Sequence, residues 1–460
     1  MDNKFEKVLN KKDIFAIAFG AMIGWGWVVQ AGDWILGAGT IGAMIAFCLG
    51  GLMVFFVGLT YAELTAAMPK CGGEHVFSLR ALGKNASFIC TWAIILGYVG
   101  VVAFEAVAFP TVLQYIIPGF MKGYLYTVAG FDIYATWVAV GVVASIIIAI
   151  INYYGVKTAA FIQTILTILI ALVGITLLAG SVLTGNVENA QPLFDNGTGG
   201  ILTVTVLTPF FFVGFDVIPQ AAEEINVPYK KIGMVMLLSI LMAIIWYVMI
   251  IFSVSLVMDK STMTESTLVT ADAMKLAFGN RQIAANVLII GGMAGIVTSW
   301  NSFFVGGSRA IYALADSKML PAFLGKLHPK YKTPVSAILL ICIISCIAPF
   351  FGRKMMLWIT NAGSFSIVIA YFLVALSFLA LRKNEPNMER PYKVKFGGFV
   401  GIMAIVLSAF MGCLYIIPGF SSALVKEEWV IIVLWMILGV AFYVYSKLKY
   451  KDKFGEHTES

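Results

Sequence analysis

The sequence predicts an all-α membrane protein with twelve transmembrane helices. Of its 460 residues, 60% are hydrophobic and 12% are charged, and the mean hydropathy is +0.92. Soluble domains contain about 25% charged residues, so a soluble enzyme is excluded. Twelve charge-poor runs of 18 to 37 residues are each long enough for a helix that crosses a bilayer, which needs about 20 residues. They show no alternation of apolar and polar residues and exceed barrel strands of about 9–11 residues, so they predict helices.

Ten of these runs contain no charged residue, and two are interrupted by one acid each, Glu105 and Asp216. Charges of both signs precede the first run and no small-residue cleavage site follows them, so we expect the first helix to be retained. In chain order, the predicted helices cover residues 14–32, 34–62, 85–121, 133–156, 158–187, 196–222, 232–258, 282–308, 333–352, 355–381, 396–425 and 429–446.

The distribution of Lys and Arg predicts that both termini lie in the cytoplasm. With the N-terminus inside, 24 of the 31 basic residues fall on the cytoplasmic side, as in other multi-pass proteins. The net charge of +7 therefore reflects membrane topology, and a nucleic-acid partner is not expected. No linker divides the chain, so we expect one membrane domain, residues 1–460, in contact with lipid in the cytoplasmic (plasma) membrane. The oligomeric state stays open.

Two of the predicted helices contain residues that interrupt helical structure. The first has three glycines in the segment 20–26, and each costs about 1 kcal/mol relative to Ala inside a helix. The sixth has Pro209, Gly214 and Pro219, and proline removes a backbone hydrogen bond. Close helix packing or a simple kink would also explain these residues. Because the two helices are five apart, the pattern favours inverted repeats with a binding site at the membrane midplane, where a zwitterion meets free N–H and carbonyl groups.

These residues resemble the amino acid/polyamine/organocation (APC) superfamily of permeases. Segment 20–26 is similar to the glycine signature of its first helix, and Phe210 to Asp216 is similar to its sixth helix. The other similar segments are Tyr61-Ala62-Glu63-Leu64 with Pro69 and Gly72-Gly73, Glu223-Glu224 with Lys230-Lys231, Ser308-Arg309 through Lys318-Met319-Leu320-Pro321 to His328-Pro329 and Thr333-Pro334, and Arg390-Pro391-Tyr392. Their order over most of the chain makes the resemblance more specific than any single motif.

The resemblance implies a five-plus-five inverted repeat with broken helices 1 and 6. Repeat one would cover about residues 12–184 and repeat two about 197–381, with helices 11 and 12, about 396–447, at the periphery. It also implies a secondary active transporter, a symporter or exchanger that moves an amino acid by alternating access.

The resemblance also implies a set of substrate-binding residues. The substrate carboxylate would meet the backbone N–H groups of Ile23, Gly24, Trp25 and Gly26. Its ammonium would meet carbonyl groups near Phe211, Phe212 and Val213, and Phe215 would be the aromatic gate. Two departures from the family pattern stand out. Trp25, followed by Trp27, replaces a small residue, and Ile170 stands where many members carry a lysine.

Acidic residues inside the predicted helices are candidates for coupling transport to a cation. Charges at the bilayer centre are costly, so Glu105 and Asp216 are functional candidates by default. Their alternatives are a packed neutral carboxyl at Glu105 and a helix-capping acid at Asp216. Asp33 fits an interfacial position, and we expect Glu63, Glu223 and Glu224 to be solvated or paired at cytoplasmic helix ends.

The coupling ion is expected to be Na⁺ or a proton. Thr298 and Ser299 in the eighth helix offer hydroxyl ligands for a candidate Na⁺ site, although small polar residues are also common packing devices in membrane helices. Because Ile170 replaces the usual lysine, Na⁺ dependence or obligatory exchange is expected. We expect Glu105 to lie near the central cavity.

The sequence shows no catalytic nucleophile with a base, metal-ligand cluster or phosphate-binding loop, so we expect neither an enzymatic activity nor a cofactor. An amine or polyamine importer is the alternative within transport, supported by the excess of acids and the bulk of Trp25. A channel or a transporter-like receptor is the alternative from another class.

Overall fold

The computed structural model describes residues 5–117, 119–420 and 423–456, with the side chain of Arg353 excepted. The predicted domain 1–460, and Lys4 in the orientation argument, extend beyond these residues. In chain order the described elements are α1 (Lys11–Met22), α2 (Gly26–Val29), α3 (Ala31–Ala38), α4 (Thr40–Ala67), α5 (Glu74–Leu82), α6 (Lys84–Ile116), β1 (Tyr124–Val128), β2 (Phe131–Tyr134), α7 (Ala135–Tyr153), α8 (Val156–Thr184), α9 (Gly197–Phe212), α10 (Val217–Gln220), α11 (Tyr229–Val257), α12 (Lys260–Glu265), α13 (Val269–Ala277), α14 (Gln282–Asp316), α15 (Val335–Ile347), α16 (Gly352–Asn384), α17 (Gly397–Ile416) and α18 (Lys426–Tyr450).

Eleven helical segments in the described part of the chain are long and apolar enough to cross a membrane. They correspond to eleven of the twelve predicted runs. The remaining run, residues 333–352, forms the shorter helix α15, which continues as the 3₁₀ turn Ala348–Phe351. The fold is therefore that of an all-helical, multi-pass membrane protein.

Local sequence explains where several helices begin. The Asn10 side chain accepts hydrogen bonds from the N–H groups of Lys12 and Asp13, and the Asp13 carboxylate accepts one from the Asn10 N–H, which completes a capping box for α1. Gly39 separates α3 from α4 with a φ of +76°, and a Cβ there would lie 2.7 Å from the Leu193 carbonyl oxygen. Only glycine satisfies both conditions without strain.

The helices differ strongly in burial. In the most apolar 18-residue window of each helix, 89% of the residues of α6 are buried, against 17% in α18. Helix α6 packs against α14 and α16, and α11 packs along α4. An apolar surface on all sides suits both positions, because α6 faces other helices whereas the exposed sides of α18 suit lipid.

A short hairpin between α6 and α7 was not predicted. Val128 pairs with Phe131, and the two residues between them, Ala129 and Gly130, both have positive φ. This conformation fits a two-residue hairpin turn, whose twist matches that of the flanking strands. Helices α12 and α13, which lie between α11 and α14, were also not predicted.

The described segments that were predicted to be cytoplasmic all meet at one end of the bundle. We name this region the basic end; it is formed by residues 5–12, 63–84, 153–157, 223–231, 309–334, 382–395 and 447–456. Leu9 forms a parallel bridge with Ile225, and Arg80 pairs with Glu385. Further contacts that join these segments are Glu63 with Arg382, Glu224 with Arg309, Thr333 with Tyr153, and Gly455 with Ser317.

Candidate substrate site at two helix breaks

The first predicted interruption is present. Helix α1 ends at Met22, α2 begins at Gly26, and residues 23–25 are not helical. The N–H group of Ile23 still donates to the Phe19 carbonyl at 3.1 Å, so it is not free for a substrate. Among the described residues, the N–H groups of Gly24, Trp25 and Gly26 donate to no protein acceptor. Three backbone donors are therefore available at this break.

The second predicted interruption is also present. Helix α9 ends at Phe212 and α10 begins at Val217. Gly214 has a φ of +135°, and its N–H donates to the Asp216 carboxylate at 2.7 Å instead of continuing the helix. Within the described residues, the carbonyl groups of Phe212 and Val213 accept no hydrogen bond. This break therefore offers acceptors, whereas the first offers donors.

The two breaks pack directly against each other. A Cβ on Gly214 would lie 2.5 Å from the Cβ of Ala21, and a Cβ on Gly26 would lie 2.3 Å from the Phe211 ring. The Tyr247 hydroxyl of α11 donates to the Met22 carbonyl at 2.6 Å and lies 3.3 Å from the Phe211 carbonyl. Tyr247 thus joins the carbonyl ends of both half-helices.

A small cavity of about 20 Å³ lies between the breaks. This volume holds roughly one water molecule, so the cavity is too small for an amino acid in the described conformation. Glu105 and Ser299 supply its polar side chains together with Tyr247. The other residues that line it are Ala21, Met22, Gly24, Trp25, Gly26, Val101, Phe104, Phe210, Phe211, Val213 and Phe303.

Glu105 lies against the first break and lines the cavity. A Cβ on Gly24 would lie 3.0 Å from Glu105 Oε1 and 3.3 Å from the Ser299 hydroxyl. The carboxyl group is 1% exposed and hydrogen-bonds with Ser299, whereas Oε2 has no hydrogen-bond partner among the described residues. The cavity therefore contains an acid without a basic partner.

Three of the predicted substrate-binding residues do not line the cavity. They are buried beside it: Ile23, Phe212 and Phe215. Phe215 packs against Tyr61 and Tyr371 on the side of the basic end.

The candidate ion-binding residues face different neighbours. The Thr298 hydroxyl donates to the Gly295 carbonyl, whereas Ser299 faces Glu105 and Gly24. Asp216 accepts hydrogen bonds from Gly214 and Tyr98. Ile170 is buried and Asp33 is exposed.

The family described as "Amino acid permease" matches residues 9–442. The chain belongs to this family. Among the similar proteins, the branched-chain amino acid permease BcaP of Bacillus subtilis (strain 168) is 27% identical over 459 residues, which cover 97% of this chain and 94% of that protein. The methylthioribose transporter of the same organism is 24% identical over 451 residues, covering 96% and 94%. The histidine permease HisP of Lactococcus lactis subsp. cremoris (strain MG1363) is 25% identical over 432 residues, covering 88% and 87%.

The family and these relatives are transporters, so this permease is a multi-pass membrane transport protein. The sequence analysis did not identify Tyr247 of α11 as part of the candidate site. A single hydroxyl in a run of apolar residues gives no charge signal, and only the folded structure brings it to both breaks. Gln163 of α8 was also missed, although an amide in an apolar run is a visible signal. Its Nε2 donates to the Ala16 carbonyl at 3.2 Å and to the Ser302 hydroxyl at 2.9 Å.

Two of the buried acids at the basic end of the permease, Glu63 and Glu224, are paired with arginine. Glu63 accepts hydrogen bonds from Arg382 at 2.5 and 2.9 Å and contacts Arg390 at 3.0 Å. Glu224 accepts two from Arg309, both at 2.9 Å. Glu223 accepts one from the Cys71 N–H at 3.2 Å, and burial raises the pKa of its carboxyl. The expectation of paired acids at these helix ends therefore holds for Glu63 and Glu224.

Proposed function

We propose that this permease is a secondary active transporter, a symporter or exchanger, that moves an amino acid across the cytoplasmic membrane by alternating access. The single observation that carries the proposal is the pair of helix breaks facing one cavity. One break presents unused N–H groups and the other presents unused carbonyl groups. A zwitterion is the small molecule that satisfies both at once, with help from the positive and negative half-helix ends.

In this proposal the substrate carboxylate binds the N–H groups of Gly24, Trp25 and Gly26, and its ammonium binds the carbonyl groups of Phe211, Phe212 and Val213. Most of the remaining lining is aromatic or aliphatic, including Trp25, Phe104 and Phe210. The cavity must widen to admit a substrate, and separation of the contact between Gly26 and Phe211 would widen it. Phe215 and its aromatic neighbours would close the path toward the basic end.

The proposal includes twelve membrane crossings, with α15 as the ninth. Helix α15 has 13 residues and its 3₁₀ continuation has four, which together extend about 27 Å. Phe5 near the N-terminus packs on Tyr312, and Gly455 near the C-terminus bonds to Ser317, so both described ends of the chain lie at the same end of α14. An even number of crossings is required for this arrangement, and the eleven long helices alone are odd in number.

We extend the proposal to the repeats and the orientation. Residues 12–184 and 197–381 would form the two inverted repeats, with one broken helix in each, and α17 and α18 would lie outside them. Both termini would be cytoplasmic, because the basic end contains most of the Lys and Arg residues. The positive-inside rule supports that assignment.

The coupling ion in this proposal is Na⁺ or a proton, with Glu105, Asp216, Thr298 and Ser299 as the candidate residues. A Cβ on Gly295 of α14 would lie 2.9 Å from the Ile23 carbonyl oxygen and 2.7 Å from that of Gly24. These carbonyl groups of the first break pack against the stretch of α14 that carries the Thr298 hydroxyl. Oxygen ligands of this kind suit Na⁺, and the uncompensated carboxyl of Glu105 suits a proton.

Uptake into proteoliposomes tests the proposal. The substrates named for the relatives, branched-chain amino acids, histidine and methylthioribose, would be assayed first, then the other amino acids, each with and without Na⁺ and an imposed pH gradient. Saturable counterflow of an amino acid is expected. Flux that does not saturate and shows no counterflow would indicate a channel and reject the proposal.

An amine or polyamine importer is the second candidate, because Glu105 places an acid without a base at the cavity. Competition separates the two candidates. A substrate that binds through both breaks is displaced by amino acids and not by putrescine. The reverse order would favour the amine importer.

A further inference from the structure

A second group of buried polar side chains joins the second break, which contains Asp216, to the part of the basic end that contains Glu74. Glu74 begins α5, which folds back after α4, and Asp216 lies between α9 and α10; both acids are 0% exposed. The Gln220 side-chain amide donates to Glu74 Oε2, and the Tyr98 hydroxyl donates to Asp216 Oδ2 at 2.9 Å. None of these contacts touches the substrate cavity.

Two oxygen atoms in this group lack a partner. Glu74 Oε1 and Gln220 Oε1 are buried and have no hydrogen-bond partner among the described residues, while the buried hydroxyl of Tyr61 faces Glu74 and that of Tyr371 faces Asp216. Both tyrosines lie within electrostatic reach of Glu74 and Asp216. Buried polar groups are normally satisfied, so this group has unused capacity for a proton or cation.

No positive side chain in the described part of the chain compensates the two acids. The titratable groups that face Glu74 are Asp216, Tyr61, Tyr98, Tyr371 and Cys90. The nearby arginines already have partners: Arg80 pairs with Glu385, Arg309 with Glu224, and Arg382 and Arg390 with Glu63.

His75, next to Glu74, directs its ring nitrogens to Ser87 and Ser317. Burial, and then the charge of Asp216, raise the pKa of Glu74. Two carboxylates that share a buried environment cannot both be charged without a large energetic cost, and one shared proton removes that cost.

The same group joins the fold-back segment to the second broken helix. The Gly72 N–H donates to the Gln220 carbonyl at 3.3 Å, and a Cβ on Gly73 would lie 2.8 Å from Pro219. Charge on both acids would repel α5 from the segment that carries Asp216. Protonation therefore favours the observed packing of α5 against this segment, and loss of the proton favours their separation, which would open the basic end.

We propose that Glu74 and Asp216 form a proton-binding site that couples closure of the basic end to the uptake of one proton. The site rests on the proposed function, since it needs a transport cycle in which the basic end opens. The proton binds to one carboxylate oxygen of the pair while the end is closed. When the end opens, the carboxyl gives the proton to water that enters, which leaves a carboxylate and a hydronium ion.

Proteoliposomes that contain a trapped pH dye test this site. In the wild type, substrate entry is expected to move about one proton per substrate, and a pH gradient is expected to drive accumulation. Glu74→Gln cannot carry the proton but keeps a similar shape. It is expected to retain counterflow within about twofold and to lose proton-driven accumulation by at least about tenfold, because accumulation needs the coupling that counterflow does not.

Glu223→Gln is the matched control, because Glu223 lies at the basic end but does not belong to the pair of Glu74 and Asp216. It is expected to keep proton coupling. Asp216→Asn gives a second test and is expected to lose coupling like Glu74→Gln, which protects the test against poor folding of one variant.

Substrate-coupled proton movement that is absent from the wild type, or that persists in folded Glu74→Gln, would overturn the inference. Wild-type counterflow without proton movement would leave the proposed transport function intact and reject only this site. No counterflow of any amino acid would instead reject the proposed function.

Discussion

Glu63 and Glu105 are both 1% exposed, yet their surroundings are opposite. At the basic end, Glu63 has two arginines and the Val394 N–H as partners. At the centre, Glu105 has Ser299 and one oxygen without a partner among the described residues. Burial alone therefore does not distinguish a structural acid from a functional one. The two acids differ instead in whether a charged partner compensates them.

This difference has an energetic basis. An arginine-paired carboxylate offsets part of its desolvation cost within the protein, so removal of one partner exposes the full cost of the other charge. An acid without a partner has no such balance and must be neutral or bind something positive. Loss of one partner at Glu63 should therefore reduce stability, whereas Glu105 has no such partner among the described residues to lose.

The largest expected effect comes from filling the central cavity without changing either acid. Gly24→Leu should abolish substrate binding and uptake, because a Cβ alone would reach within 3.0 Å of Glu105 Oε1 and the rest of the side chain would occupy the cavity. Uptake and substrate-dependent thermal stabilisation measure the loss. A folded protein that transports at the wild-type rate would contradict the location of the site.

Glu63→Gln tests the paired acid. It leaves Arg382 and Arg390 without their carboxylate, and about 3 kcal/mol of stability should be lost. Thermal unfolding in detergent measures this loss. Glu385→Gln removes a half-exposed pair with Arg80 and is the control, with an expected cost of about 0–1 kcal/mol. Equal effects of the two substitutions would show that the pairing at Glu63 adds nothing.

Glu105→Gln tests the acid without a partner. It keeps the shape of the neutral acid and removes the negative state, so transport should fall or lose its pH dependence while thermal stability changes little. Initial uptake is measured from about pH 5.5 to about pH 8.5 for both proteins. Superimposable profiles would mean that Glu105 is only a packed neutral acid.

The smallest expected effect is that of Tyr247→Phe. Loss of one hydrogen bond to the carbonyl groups of Met22 and Phe211 should cost about 1 kcal/mol, which corresponds to roughly a fivefold rise in KM. Expression and the position of the helices should be unchanged. A variant with wild-type KM would show that the hydroxyl does not set the geometry of the breaks.

Much of the fold could be predicted because membrane helices leave a strong local signal. Eleven runs became long helices. The breaks lie inside the glycine segment 20–26 and between Pro209 and Pro219, because Gly and Pro act on the backbone where they stand. The predicted run 333–352 forms a 13-residue α-helix that is followed by a 3₁₀ turn. Composition does not indicate this change of helix type. The turn at Ala129 and Gly130 has no charge or hydropathy signal, and it was missed.

The candidate site was less predictable because its polar groups meet only through tertiary structure. Glu105 was found because it interrupts an apolar run. Glu74 stands near Lys70 and Arg80 in the sequence and therefore suggests a solvated loop. It is buried only because α5 folds back against α6 and α16. The N–H group of Ile23 was expected to be free, but the last turn of α1 extends far enough to use it.

The segment that precedes α1 links the two broken helices through backbone hydrogen bonds. The N–H groups of Val8 and Leu9 both donate to the Glu224 carbonyl at 2.9 Å, and the Asn226 N–H donates to the Leu9 carbonyl at 2.8 Å. A hinge motion that opens the basic end must therefore either move α1 and α10 together or break these three backbone hydrogen bonds. The few residues before the first helix thus transmit the displacement of one half-helix to the other.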